Sequence, residues 1–487
     1  MGGKEKLRAI QVLALKGGTG TRYRLGQTKT VGEAESPTPQ LTNVVETADL
    51  ANGRASLDSE LKNGDFSQHR HEILTRRGAV PDTAALAGDH PQPPAPPVGI
   101  EIVGTRPVAA TSPGGLFSWG TQNSPELLLR RNIVTIALAA ADSTSDTQPA
   151  EDKALNGRMH AFGAARTKDG EEIGVYFDPQ SKLIAGFEVV DTETILGDVP
   201  AQYLFDDYRA VDGIMLPHHV TIRKGGRDYS DVRYSSLTIN DPQAQAVFAI
   251  PASASAEADR AVASGEYTPL ELTKVANGVH FARAYSHNSM IVEFPSYIAV
   301  VEAPYTETQS RVLARLLREQ FPNKPIRYAA VTHHHYDHIG GVRGIGAEGA
   351  TLLVASGHEP AIRELMDARH THPPDELEKR RSQGASWKGE FYGGKQILVE
   401  GNQSLELYAV EGSPHAEPIV LAYVPGARVL FQSDIWFPGT GGTGSPAARH
   451  LLQTVRKLGL RVDTNVGGHG GVAPFSELLA AVDQMAR

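Results

Sequence analysis

Two kinds of hydrophobic patterning divide the chain. Before about residue 240, short alternating runs dominate. Ile10 to Leu15, Thr21 to Leu25 and Val44 to Leu50 read as strands separated by Gly or polar turns. Between 157 and 240 the alternation predicts an antiparallel meander. Glu172 to Phe177 and Leu183 to Val190 flank Asp178-Pro179-Gln180-Ser181, and Val220 to Lys224 and Asp228 to Tyr234 flank the hairpin turn Gly225-Gly226. Short strands at regular spacing predict a curved, half-barrel-like sheet. A single helix interrupts them, with Ser124 as N-cap, Pro125 at its first position and Leu127, Leu128, Ile133, Val134 and Leu138 facing a core. The Pro-rich stretch 86–99 reads as a stiff extended loop, and the Ala, Ser and Glu-rich stretch 241–269 as a linker.

After the linker the pattern changes. Val279 to Ala284, Met290 to Glu293 and Tyr297 to Val301 are predicted strands. Thr306 to Phe321 is a predicted helix: Thr306 and Gln309 have capping-box spacing, Val312, Leu313, Leu316 and Leu317 share one face, and Pro322 ends it. Strands Ile326 to Val331, Thr351 to Ala355 and Leu405 to Val410 follow, with a hairpin of Ile419 to Val424 and Arg428 to Phe431 about Pro425-Gly426. Helices His358 to Arg369 and Ser476 to Met485 are interleaved with them. Such alternation indicates an α/β domain over 270–487, after a mostly antiparallel β domain over 1–265. The polar stretch 370–395 reads either as a lid or as a surface insertion.

Composition narrows the chemistry. A net charge of -9 disfavours a nucleic-acid partner. There are no cysteines, so any metal falls to His, Asp or Glu. No apolar run is long enough for an integral membrane segment. The opening Met-Gly-Gly-Lys-Glu-Lys has no apolar leader core, which fits a cytoplasmic protein or one whose signal peptide is missing. The expected partner is a small-molecule substrate.

The densest chemistry is His333-His334-His335-Tyr336-Asp337-His338, which holds four of the 18 histidines. Spacing reads as H-x-H-x-D-H at the end of a buried strand. There, alternate side chains converge, and neutral imidazoles with a carboxylate suit zinc. Further ligand-type residues recur where strands end: His415, Asp434 and, within Gly467-Gly468-His469-Gly470-Gly471, His469. In this order the set resembles the metallo-β-lactamase superfamily over residues 270–487. The resemblance implies an αββα sandwich with two Zn²⁺ per chain. The first would be held by His333, His335 and His415 and the second by Asp337, His338 and His469, with Asp434 bridging. Glu302 stands where many members carry an Asp, and Ser433-Asp434 where Gly-Asp is common. His335 stands where flavin-linked diiron members carry Glu, and dedicated class B lactamases usually lack the bridging Asp.

The implied chemistry is a metallohydrolase that uses a zinc-bound hydroxide on a small ester, lactone, amide or related bond, with Asp337 as proton shuttle. Tyr336, His287, Asn288, Trp436 and Phe437 are the candidate substrate contacts. Competing readings are a mononuclear iron dioxygenase on the same fold and a non-catalytic periplasmic lipid or ligand binder. The stretch Tyr208 to Val220 resembles the sheet domains of periplasmic lipoprotein carriers, which implies a periplasmic or secreted protein. His218 and His219 within it read as structural.

Overall fold

The computed structural model describes the chain except residues 36–39, 64–65, 77–97, 104–105, 112–124, 144–150, 250–269, 285–286, 372–373, 442–443 and 486–487. The chain forms two compact units. The first comprises residues 1–24, 36–191 and 199–267, and the second 25–35, 192–198 and 268–487. Two short segments from the N-terminal half therefore belong to the second unit. Most of the Pro-rich stretch and of the linker lies outside the described residues; Pro242–Phe248, at the linker's start, is a 3-10 helix capped by Asp241.

Among the described residues, the first unit is built on a 14-stranded antiparallel sheet. The two hairpins expected around Asp178 and Gly225-Gly226 pair Ile184–Glu193 with Glu172–Phe177, and Ile214–Lys224 with Arg227–Arg233. The single helix expected after Ser124 is two helices, Pro125–Arg131 and Ile133–Asp142. Asn132 breaks the run because its side chain accepts from Thr135 N and so caps the second helix. Leu129 packs on the sheet with Ala48, Ala55 and Leu74. His218 and His219 are buried in the sheet, where His219 Nε2 lies 3.1 Å from Asp231.

The second unit is an αββα sandwich, and strand periodicity explains why. Every residue of Ile298–Val301 is buried, yet Ile298 and Val300 join one core while Ala299 and Val301 join another. Thr351–Ala355 divides in the same way, with Leu352 and Val354 against Leu353 and Ala355. A strand covered on both faces reads as a continuous apolar run. One core holds the helices Glu307–Gln320, Val342–Ala347 and Glu359–Asp367 against a seven-stranded sheet. The middle core joins that sheet to a six-stranded one through Leu405, Leu407, Val420, Ala422 and Phe431. On the far face Ile419, Leu421 and Tyr423 meet Pro446–Lys457 and Phe475–Gln484. The helix at Glu307–Gln320 starts as its sequence demands, with Gln309 N donating to Thr306 Oγ1 at 3.2 Å.

The described residues of 370–395 include elements packed on the rest of the second unit. They contain the helix Glu376–Ser382, whose Leu377 sits in the core, and the edge strand Lys388–Tyr392, paired in parallel with Thr351–Ala355. Buried Arg343 binds Asp375 and so fixes the start of that helix. Among the described residues no helix is long and apolar enough to cross a membrane.

Candidate metal centre

Parallel strands aim the ligand-type residues. Ile326–Ala330 lies between the parallel strands Ile298–Val301 and Thr351–Ala355, and its C-terminal end runs into Thr332 and His333. In the other sheet Val429–Gln432 and Thr464–Gly467 are parallel and end at Ser433-Asp434 and Gly468-His469. Val420 N donates to Thr332 O at 2.8 Å and ties the two sheets together beside the site. His335 precedes a one-turn helix, Tyr336–Ile339, which turns Asp337 and His338 back toward the strand ends.

Two groups result. His333, His335, His415 and Asp434 each offer a ligand atom, all within 4.8 Å of one another. So do His287, Asp337, His338 and His469. Asp434 faces both groups: Oδ2 is 3.0 Å from His415 Nε2 and 3.1 Å from His338 Nε2, and Oδ1 is 3.0 Å from His469 Nε2. It is held at a φ of 60°, a left-handed conformation that Asp and Asn tolerate better than other side-chain-bearing residues. The glycine loop around His469 allows close approach. A Cβ on Gly468 would lie 2.0 Å from Ser433 Oγ and 2.8 Å from Glu302 Oε1.

Behind the ligand-type residues stands a layer of hydrogen bonds. Glu302 is buried at a φ of 68°; its Oε1 accepts from His338 Nδ1 at 2.7 Å and its Oε2 from Thr332 Oγ1 at 2.7 Å. Ser433 Oγ donates to the same Oε1 at 3.2 Å. The longer carboxylate noted at this position therefore reaches His338 directly. A carboxylate that accepts from one imidazole nitrogen leaves the other for a cation.

Electrostatics separate the imidazoles. Burial pushes His335 down to about 3 and His287 down to about 4, and with its neighbouring imidazoles it holds His333 well below the usual range. These rings are neutral at pH 7, the form that ligates metal. Burial opposes charge on His338 too, yet Asp434, Glu302 and Asp337 raise it well above the ordinary value. Burial would likewise raise Asp434, but His338 and His469 hold it well below the usual carboxylate range. His333 Nε2 is buried with no hydrogen-bond partner among the described residues. A buried ring nitrogen in that state, amid carboxylates and neutral imidazoles, fits a cation.

The expected substrate contacts divide. His287 is fully buried with Nε2 3.4 Å from Asp337 Oδ2, so it stands among the ligand-type residues of the second group. Asn288 clamps the glycine loop instead: Nδ2 donates to Gly467 O at 3.1 Å and Gly470 O at 3.2 Å, and Oδ1 accepts from Ala284 N. Tyr336 lies in the core beneath the helices, and Trp436 packs with Leu451, Leu452 and Leu478 on the outer face of the second sheet. Phe437 alone is exposed beside the site, its ring 5.1 Å from that of His469. Sequence reasoning also missed Gln27 and Thr28, which touch Asp337 and His335.

The family model of the metallo-beta-lactamase superfamily matches residues 282–469. A metallo-β-lactamase from Hirschia baltica is similar at 16% identity, over 44% of this chain and 97% of its own, with a TM-score of 0.34. One from Pontibacter korlensis is similar at 15% identity, over 45% of this chain and 100% of its own, with a TM-score of 0.33. No curated protein matches the chain. The family match does not reach Tyr208 to Val220, so the lipoprotein-carrier likeness stays a resemblance. The stretch that matches the metallo-beta-lactamase superfamily, residues 282–469, carries every histidine and aspartate of the two ligand-type groups found among the described residues.

Proposed function

We propose that the protein is a dinuclear zinc hydrolase of a small ester, lactone, amide or related bond. The observation that carries this reading is Asp434, whose two oxygens face His415, His338 and His469 at 3.0–3.1 Å and so stand between the two ligand groups. The donor set is all nitrogen and oxygen, which suits zinc. His333, His335 and His415 would hold the first ion; Asp337, His338 and His469 would hold the second, with His287 beside them. When bound, such a pair supplies Lewis acidity and a water whose pKa is brought down to about 7. Glu302 orients His338. Asp337 Oδ2, facing the second group, orients the attacking water and carries a proton to the leaving group. Phe437 forms the apolar lip over which the substrate enters.

Metal analysis of the purified protein, with a panel of lactone, ester, β-lactam and phosphodiester substrates, tests the proposal. Two zinc ions per chain and turnover of one hydrolysable class are expected. One iron per chain with oxygen consumption would overturn it in favour of a dioxygenase. Export to the periplasm or medium is part of the proposal, resting on the carrier-like sheet. Fractionation of cells expressing the native gene tests that part, and a purely cytoplasmic product would remove it.

A further inference from the structure

The segment Leu25–Glu35 belongs to the second unit although the rest of that unit comes almost entirely from residues beyond 267. It is closed on itself: Gly26 N donates to Glu35 Oε1 at 3.0 Å, and Thr30 Oγ1 donates to Glu33 Oε1 at 2.6 Å. Leu25 is buried. The loop is pinned near the third ligand of the first group, where Glu417 N, two residues past His415, donates to Lys29 O at 2.8 Å. A loop braced at its own ends and tied to the site is preformed rather than adaptable.

Two of its groups reach the ligand-type residues themselves. His335 Nε2 and Thr28 O are 2.9 Å apart across 307 positions of sequence. A carbonyl only accepts, so the ring proton sits on Nε2 and the Nδ1 lone pair is left for the cation. Gln27 Nε2 donates to Asp337 Oδ1 at 2.8 Å across 310 positions. A carboxylate likewise only accepts, so the amide presents its nitrogen. With Oδ1 engaged, Asp337 Oδ2 is the oxygen that faces the second group, 3.4 Å from His287 Nε2 and 3.9 Å from His338 Nε2.

We propose that Gln27 and the Thr28 carbonyl are positioning groups of the metal centre: Thr28 sets the tautomer of His335, and Gln27 sets which oxygen of Asp337 faces the second ion. The inference rests on the metallohydrolase reading. Partners of this kind change metal affinity by about 10–100-fold when removed.

The test uses the full chain loaded with zinc or cobalt. Gln27→Met keeps the side-chain length without its N–H donor, and Gln27→Ala removes it. Both should weaken retention of the second ion about 10–100-fold in a chelator titration, and leave the first ion within about 2-fold. Cobalt absorption should change only at the second equivalent, and kcat should fall with KM little changed. Thr28→Ala, which keeps the carbonyl, should leave the His335 tautomer as it is. Histidine-selective ¹⁵N spectra of the wild-type protein, which need no variant to fold, should show His335 protonated at Nε2. Unchanged second-ion affinity in both Gln27 variants, or a proton on His335 Nδ1, overturns the inference while a two-zinc wild-type enzyme leaves the hydrolase reading standing. A wild-type chain that takes up no metal overturns both.

Discussion

Glu302 and His338 form a fully buried pair, with Glu302 Oε1 2.7 Å from His338 Nδ1. The carboxylate fixes the ring's proton on Nδ1 and so fixes the direction in which Nε2 points. Glu302→Gln places an amide there instead. An amide nitrogen facing Nδ1 would move the proton to Nε2, where it blocks a cation. The variant should fold and should lose second-ion affinity by about 10–100-fold. Glu302→Ala strips Thr332 and His338 of their common acceptor and should cost about 3–5 kcal/mol in thermal or urea unfolding. Equal zinc retention by Glu302→Gln and wild type would show that the ring is oriented by something else.

Asp434 tests the bridge. Its φ of 60° makes Asn the best replacement, because Asn tolerates the same backbone while losing the charge. Elemental analysis of Asp434→Asn should return fewer than two ions per chain. A variant that keeps both ions at full affinity would strip Asp434 of the bridging role.

The register of the motif is tested by a contrast between neighbours. Asp337→Asn keeps the size of the side chain and removes its charge. It should lower kcat by about 10²-fold or more under saturating zinc, as loss of a positioned acid–base group does. His334 points elsewhere: its ring lies against His358 at 5.1 Å between centroids and it joins neither ligand group. His334→Ala should therefore retain kcat within a few-fold. Loss of activity in His334→Ala alone would mean that the ligands fall on the other residues of the motif.

A stability prediction concerns the first unit. Burial pushes the Glu46 carboxyl up to about 7, against an ordinary 4.5, despite Tyr234 and Arg22 beside it. Below pH 4.5 both folded and unfolded chains hold this proton, and its contribution to stability is complete. Between 4.5 and 7 the unfolded chain gives the proton up first, so stability falls as pH rises, by up to about 3 kcal/mol in total. Above 7 the loss is finished. Glu46→Gln should flatten that part of the stability–pH curve in calorimetry. An identical slope in both proteins would assign it to other groups.

Much of the second unit was legible because its signals are local. Thr306 and Gln309 mark a helix start by spacing alone, and Thr351–Ala355 coincides with its apolar run. The ligand-type residues could be found because each stands where a strand ends. Helix Pro446–Lys457 was missed although Ser445-Pro446 followed by Leu451, Leu452 and Val455 carries a start signal and an apolar face. Tyr336 and Trp436 look like site residues by proximity in sequence, but tertiary packing turns both into cores. His287 shows the converse, since only folding brings it to Asp337. Gln27 and Thr28 carry no local mark at all; an amide and a backbone carbonyl some 300 positions from their partners are invisible to any window of sequence.

The placement of Leu25–Glu35 also sets an order of events during synthesis. A ribosome makes Gln27 early, the H-x-H-x-D-H motif much later and His469 later still, yet all converge on one centre. On the proposed two-ion reading, the centre could be completed only on a chain that has left the ribosome nearly whole. Metal content would then report chain integrity: a nascent fragment, or a molecule nicked between the loop and the motif and parted, would shed its second ion before its sheets came apart.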